Sequence, residues 1–119
     1  MKKLLVALTA VTVAMAVLAS ASLAAPPTLT GTVGPGFTIT LTQGGKKVTK
    51  IKHGTYKFVI HDKASIHSYG LDGPNGWSKD FTSVDFKGTK TFTVALKAGK
   101  YKYYCTPHES TMFGHFTVS

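Results

Sequence analysis

A period of two narrows the possible folds more than anything else in this chain. Thr89 to Leu96 alternates polar and apolar residues, so Phe92, Val94 and Leu96 fall on one side of an extended segment. Thr55 to Ile60 does the same with Tyr56, Phe58 and Ile60, and Leu29–Val33 and Phe37–Leu41 set apolar residues against threonines. Turn chemistry separates these runs: Gly34-Pro35-Gly36, Gly44-Gly45 and Gly73-Pro74-Asn75-Gly76, with Lys97 to Lys100 reading as a hairpin turn. No heptad pattern, helix of ordinary length or internal repeat interrupts them. Many short strands joined by glycine-rich turns predict an all-β fold, a two-sheet antiparallel Greek-key β-sandwich.

Some segments read less cleanly. Val48 and Ile51 lie in a basic stretch that fits either an edge segment or one helical turn. Lys79 to Lys87 reads as irregular apart from Phe81, Val84 and Phe86. Trp77, directly after a dense turn, is expected in the core.

The first residues, Met1-Lys2-Lys3, are followed by an uncharged apolar run from Leu4 to Leu18 and by small residues at Ala19-Ser20-Ala21 and Ser22-Leu23-Ala24. A basic start, an apolar stretch and a small-residue cleavage pattern predict a signal peptide over residues 1–24, with a single domain over 25–119. That leader implies export to the periplasm or the medium, with no stable membrane insertion once it is removed. About 95 residues would remain, enough for one compact domain and too few for two.

Cys105 is the only cysteine, so the exported domain cannot staple itself with an internal disulfide. A free thiol in an oxidising compartment is a liability unless it is buried and inert or bound to a metal. Its neighbours in Cys105-Thr106-Pro107-His108-Glu109-Ser110-Thr111-Met112 favour the metal. Cysteine offers a soft thiolate, histidine an imidazole nitrogen and methionine a weak thioether, a combination that suits copper. Zinc structural sites gather four Cys or His donors, and this chain would have to supply three histidines to one cysteine. A trigonal copper site needs one more imidazole. His67, in line with Tyr69 and Leu71 by alternation, is the candidate, although taken alone it reads as an ordinary histidine. His53 and His61 lie beside no soft donor, and His115 alternates away from the core with Phe116 as reference.

Val59 to His67, with Asp62 near its middle, and Gly99 to Gly114, with its Cys, His and Met, together resemble the cupredoxins, the small blue copper proteins of the plastocyanin and azurin group. The resemblance extends over most of the chain after the leader. It implies one mononuclear type 1 copper, with His67, Cys105 and His108 as strong ligands and Met112 as the axial one. Family members commonly carry Asn after the first histidine, where its side chain ties the two ligand-bearing loops together. Here that position is Ser68, whose shorter hydroxyl implies a less rigid tie.

The function implied is that of an exported one-electron carrier, not an enzyme. The alternative is a periplasmic copper-binding or copper-delivery protein without a shuttle role. A Cys105 nucleophile with a histidine base lacks oxyanion machinery in so small a chain. Formal charge is +9, or +7 without Lys2 and Lys3, and every basic residue is Lys. Planar recognition of phosphate or bases would call for Arg, so nucleic acid is not the expected partner. Spread lysines keep a small domain soluble and blunt sheet edges, and they would steer an acidic redox partner toward a monomeric carrier.

Overall fold

The computed structural model describes residue 12 and residues 24–119. The leader, apart from those two positions, lies outside the described residues. Among the described residues no helix is long and apolar enough to cross a membrane.

Among the described residues ten strands form two five-stranded sheets. One contains β1 (Thr28–Val33), β2 (Ile39–Gln43), β3 (Lys46–Lys47), β5 (Gly54–Asp62) and β8 (Gly88–Leu96), in the order β3-β2-β1-β5-β8. The other contains β4 (Lys50–Ile51), β6 (Tyr69–Asp72), β7 (Ser78–Thr82), β9 (Gly99–Tyr104) and β10 (Phe113–Val118), in the order β4-β10-β9-β6-β7. The all-β sandwich expected from the alternation is therefore present. Its sheets are antiparallel except at β1–β5 and β4–β10, which run parallel. Parallel neighbours need a crossover, and here the chain makes one by leaving the first sheet at Val48 to form β4 before returning as β5.

The basic stretch around Val48 and Ile51 thus supplies two short edge strands, β3 and β4, one in each sheet, with Val48 buried between them and its N–H bonded to the Leu41 carbonyl at 2.9 Å. Of Lys79 to Lys87, expected to be irregular, the residues up to Thr82 belong to β7, while 83–87 carry no strand. The register of β7 against β6 shifts between Tyr69 and Gly70: Thr82 pairs with Tyr69 and Asp80 with Gly70, leaving Phe81 as the extra residue of a bulge. Phe81 and Thr82 are consequently both buried, which breaks the two-residue period by which strands are read. Trp77 is not a core residue. It stays partly exposed and packs edge-on against Tyr101 in a groove with Pro74 and Lys97, at the end of the sandwich where β9 begins.

Between the sheets the inward residues form one core, with Leu29, Phe58, Ile60, Tyr69 and Leu71 fully buried. Aromatic rings fill much of it: Phe58 stacks on Phe81 and Tyr101 on Phe116, both at 5.1 Å between centroids. Burial would strand the phenolic hydroxyls, and each finds a backbone carbonyl instead: Tyr69 donates to Thr40 at 2.9 Å and Tyr101 to Lys97 at 2.8 Å. Gly31 makes room for this packing. A Cβ there would sit 2.7 Å from Ile60 Cδ1 and 2.8 Å from Tyr69 Cζ, both held from the opposite side by the core. Gly31→Ala should cost about 1–3 kcal/mol through overpacking, measured by urea unfolding of the metal-free protein; an unchanged midpoint would show that the core yields at this point.

A candidate metal centre at one end of the sandwich

Three loops meet where β9 ends and β6 begins. Cys105 follows the last residue of β9, and Thr106–His108 then form a single 3-10 turn with Pro107 near its start. Proline suits that position because its fixed φ fits the turn and its missing N–H is not needed there. The turn closes by His108 N–H to the Cys105 carbonyl at 3.1 Å, and Met112 N–H returns to the His108 carbonyl at 2.8 Å. Cys105 N–H then donates to the Met112 carbonyl at 3.0 Å, handing the chain to β10, where Phe113 pairs with Tyr104. Hence the whole Cys-to-Met segment is a hairpin loop pinned at both ends by its own backbone.

His67 arrives from the loop between β5 and β6, immediately before Tyr69 starts the strand, and it is fully buried. Upstream, Asp62 closes β5 and its Oδ1 accepts from Ala64 N–H at 3.3 Å, turning the chain toward His67. Burial pushes the Asp62 carboxyl above its ordinary range, while the Thr82 hydroxyl, the Ala64 N–H and the His67 ring pull it the other way.

The side-chain donors form a closed triangle. His67 Nδ1 lies 3.2 Å from His108 Nδ1, and Cys105 Sγ lies 3.7 Å from the first and 3.5 Å from the second. A point equidistant from all three is about 2.0 Å from each, the length of a metal–imidazole bond. Two nitrogens and a soft sulfur at these separations fit a trigonal, thiolate-bearing copper centre. Cys105 is fully buried, as is Met112 to within a hundredth, and His108 alone among the three triangle donors is half-exposed.

A residue beside the triangle holds it. Ser68 N–H points at Cys105 Sγ at 3.4 Å, and Ser68 Oγ accepts from Thr106 N–H at 2.8 Å. The hydroxyl is short, but the two loops approach closely enough for it to span them. Its burial leaves little water to compete.

His67, Cys105 and His108, three of the four residues singled out from sequence, thus converge. Met112 is carried next to them by its backbone bonds and lies buried. His53 is instead held by the Ser119 carbonyl at 2.9 Å, His61 by the Thr89 hydroxyl at 3.0 Å, and His115 is exposed beside Phe113. One residue of the site went unread. Phe37, expected to open the second strand, precedes it and sets its ring against both imidazoles. The available signal was its place straight after Gly34-Pro35-Gly36, in a loop rather than a strand.

Ser68→Ala would leave the Thr106 N–H without its acceptor and should cost the metal-free protein about 1–2 kcal/mol. Chemical unfolding measures it, with Ser68→Thr as the hydroxyl-preserving control; equal losses in both would assign the effect to packing and not to the bond between loops.

Residues 37–119 match the model of the copper binding proteins of the plastocyanin/azurin family. No protein of curated function matches the chain. Among solved structures the chain is similar to reduced rusticyanin, with 20% identity and a TM-score of 0.56 over 77% of this chain and 78% of that one. It is also similar to a reduced amicyanin variant, with 16% identity and a TM-score of 0.52 over 81% of this chain and 86% of that one. At such identities the structural likeness speaks for the fold, and the family match covers well over half of the sequence, including every donor described above. With its sandwich and its two-nitrogen, one-sulfur cluster, the chain belongs to the plastocyanin/azurin family of copper-binding proteins, the cupredoxins, and its cofactor is copper.

Proposed function

We propose that this protein is an exported one-electron carrier with a single type 1 copper, held by His67, Cys105 and His108 and weakly by the Met112 thioether. The observation that carries the proposal is the closed triangle of His67 Nδ1, His108 Nδ1 and Cys105 Sγ, already at bonding separation in the protein alone. Copper bound there supplies a one-electron redox couple. Everything else the chain contributes is rigidity, insulation and access.

Rigidity comes from the Ser68 bonds and from the loop backbone, which hold the donors where they are needed in both oxidation states. Insulation comes from burial of Cys105, His67 and Met112, and the Ser68 N–H directed at sulfur moderates the thiolate charge. Access is through His108, the half-exposed donor. Exposed Phe37 lies against its ring, an apolar surface from which a docking partner can displace water. The lysine-rich surface favours an acidic redox partner, with an on-rate that falls as salt rises. The same features disfavour the delivery role: a fully buried thiolate under a pinned loop is poorly placed to be handed over by ligand exchange. They also disfavour enzymatic use of Cys105 as a nucleophile, since no substrate atom can approach a sulfur with no exposed surface. The working form is the monomeric domain of residues 25–119, in the periplasm or secreted, freed of its leader and without a membrane span.

Cys105→Ser should abolish the intense visible absorption of the copper-loaded protein, because the colour requires the thiolate; a persistent blue or green band would refute the assignment. Met112→Leu should raise the reduction potential measured by voltammetry. An unchanged potential and spectrum would remove Met112 from the ligand set. Reversible one-electron voltammetry of the unaltered protein supports the carrier role, whereas rapid copper transfer to an acceptor would support delivery.

A further inference from the structure

We infer that Phe37 is a positioning residue that holds both ligand imidazoles in their metal-ready orientation and slows escape of the metal. Its ring meets His67 edge-on at 5.3 Å and 78° and His108 edge-on at 5.0 Å and 84°, while the two imidazoles lie 5.1 Å apart. Three rings with nearly equal spacings brace one another, and Phe37 is the only one of them that offers no donor atom. Edge-to-face contacts of this kind are favourable and directional, so rotating either imidazole away from the triangle loses one of them.

The loop that carries Phe37 is fitted to this place. Gly34 N–H donates to the Thr38 carbonyl at 2.9 Å, closing the loop, and Gly34 takes a positive φ of 74°. A Cβ at Gly34 would lie 3.0 Å from His67 Cδ2, so the backbone already rests on that edge of the ring. Next to Cδ2 is His67 Nε2, which is buried and has no hydrogen-bond partner among the described residues. Metal-binding histidines are ordinarily oriented by a bond from the second nitrogen. Here packing from Gly34 and Phe37 takes over that task. Phe37 itself is 64% exposed and outside any strand, so its ring contributes little to the core and its contact with the ligands is its main packing.

This inference rests on the copper-centre reading, and the experiment separates the two. In the metal-free protein at one fixed pH, NMR of the His67 and His108 ring signals should show a single ordered orientation, and Phe37→Ala should average or broaden both while leaving core tyrosine signals and the unfolding midpoint nearly unchanged. In the Cu(I)-loaded protein, Phe37→Ala should speed copper loss to a Cu(I)-specific chelator about tenfold, and Phe37→Tyr should restore the original rate. Ordered histidine rings in Phe37→Ala, or an unchanged rate of copper loss, would overturn the role assigned to Phe37. Rings that depend on Phe37 in a protein that takes up no copper would uphold the positioning and defeat the copper reading instead.

Discussion

A pair of hydrogen bonds from one serine governs the centre. The two loops that supply donors are far apart in sequence, His67 and Cys105 being brought together only by the fold. Ser68 closes that gap from both of its polar groups, its N–H toward Cys105 Sγ and its hydroxyl toward Thr106 N–H. Since Ser68 directly follows His67 and Thr106 directly follows Cys105, these contacts fix one strong donor relative to the other through a single residue on each side. Buried hydrogen bonds of this sort gain from the low dielectric around them and are costly to leave unmade.

The geometry also divides labour between the sheets. Loops adjoining strands of the second sheet carry the donors, and the first sheet contributes the cover, through the β1–β2 loop with Gly34 and Phe37. Asp62, at the end of β5, is the point of contact between the two roles: its carboxylate turns the chain out of the first sheet toward His67. Among the described residues its Oδ2 has no hydrogen-bond partner, and burial of the carboxyl both costs stability and raises its pKa.

Much of this was legible in the sequence because the physics involved is local. Alternation in Thr55–Ile60 and Thr89–Leu96 identified strands whose inward residues are those found in or against the core, and donor chemistry clustered on one short loop singled out Cys105 and His108, which the fold brings together with His67. Local reading failed where the cause was not local. A bulge put Phe81 and Thr82 both inside, so β7 showed no period. Trp77 is large and apolar, yet the turn before it throws it onto an end of the sandwich where Tyr101 is its chief neighbour. Ser68 implied a less rigid tie between the loops because side-chain length is visible in a sequence and the distance to be bridged is not. Phe37 was absorbed into a strand pattern by its threonine neighbour, when its position after Gly34-Pro35-Gly36 places it over the site. His67 was named because the donor set on the short loop lacked one imidazole, and the family resemblance agreed, for nothing near it in sequence marks it as a donor.

The adjacency of β6 and β9 has a mechanical outcome. Gly70 pairs with Tyr104, so the backbones leading to His67 and Cys105 are neighbours in one hydrogen-bonded ladder. Two stacked layers held by apolar contact can slide or breathe against each other, whereas adjoining strands of a single layer move as a plate. His67 and Cys105 are therefore tied to the same layer, whereas Phe37 reaches them from the other.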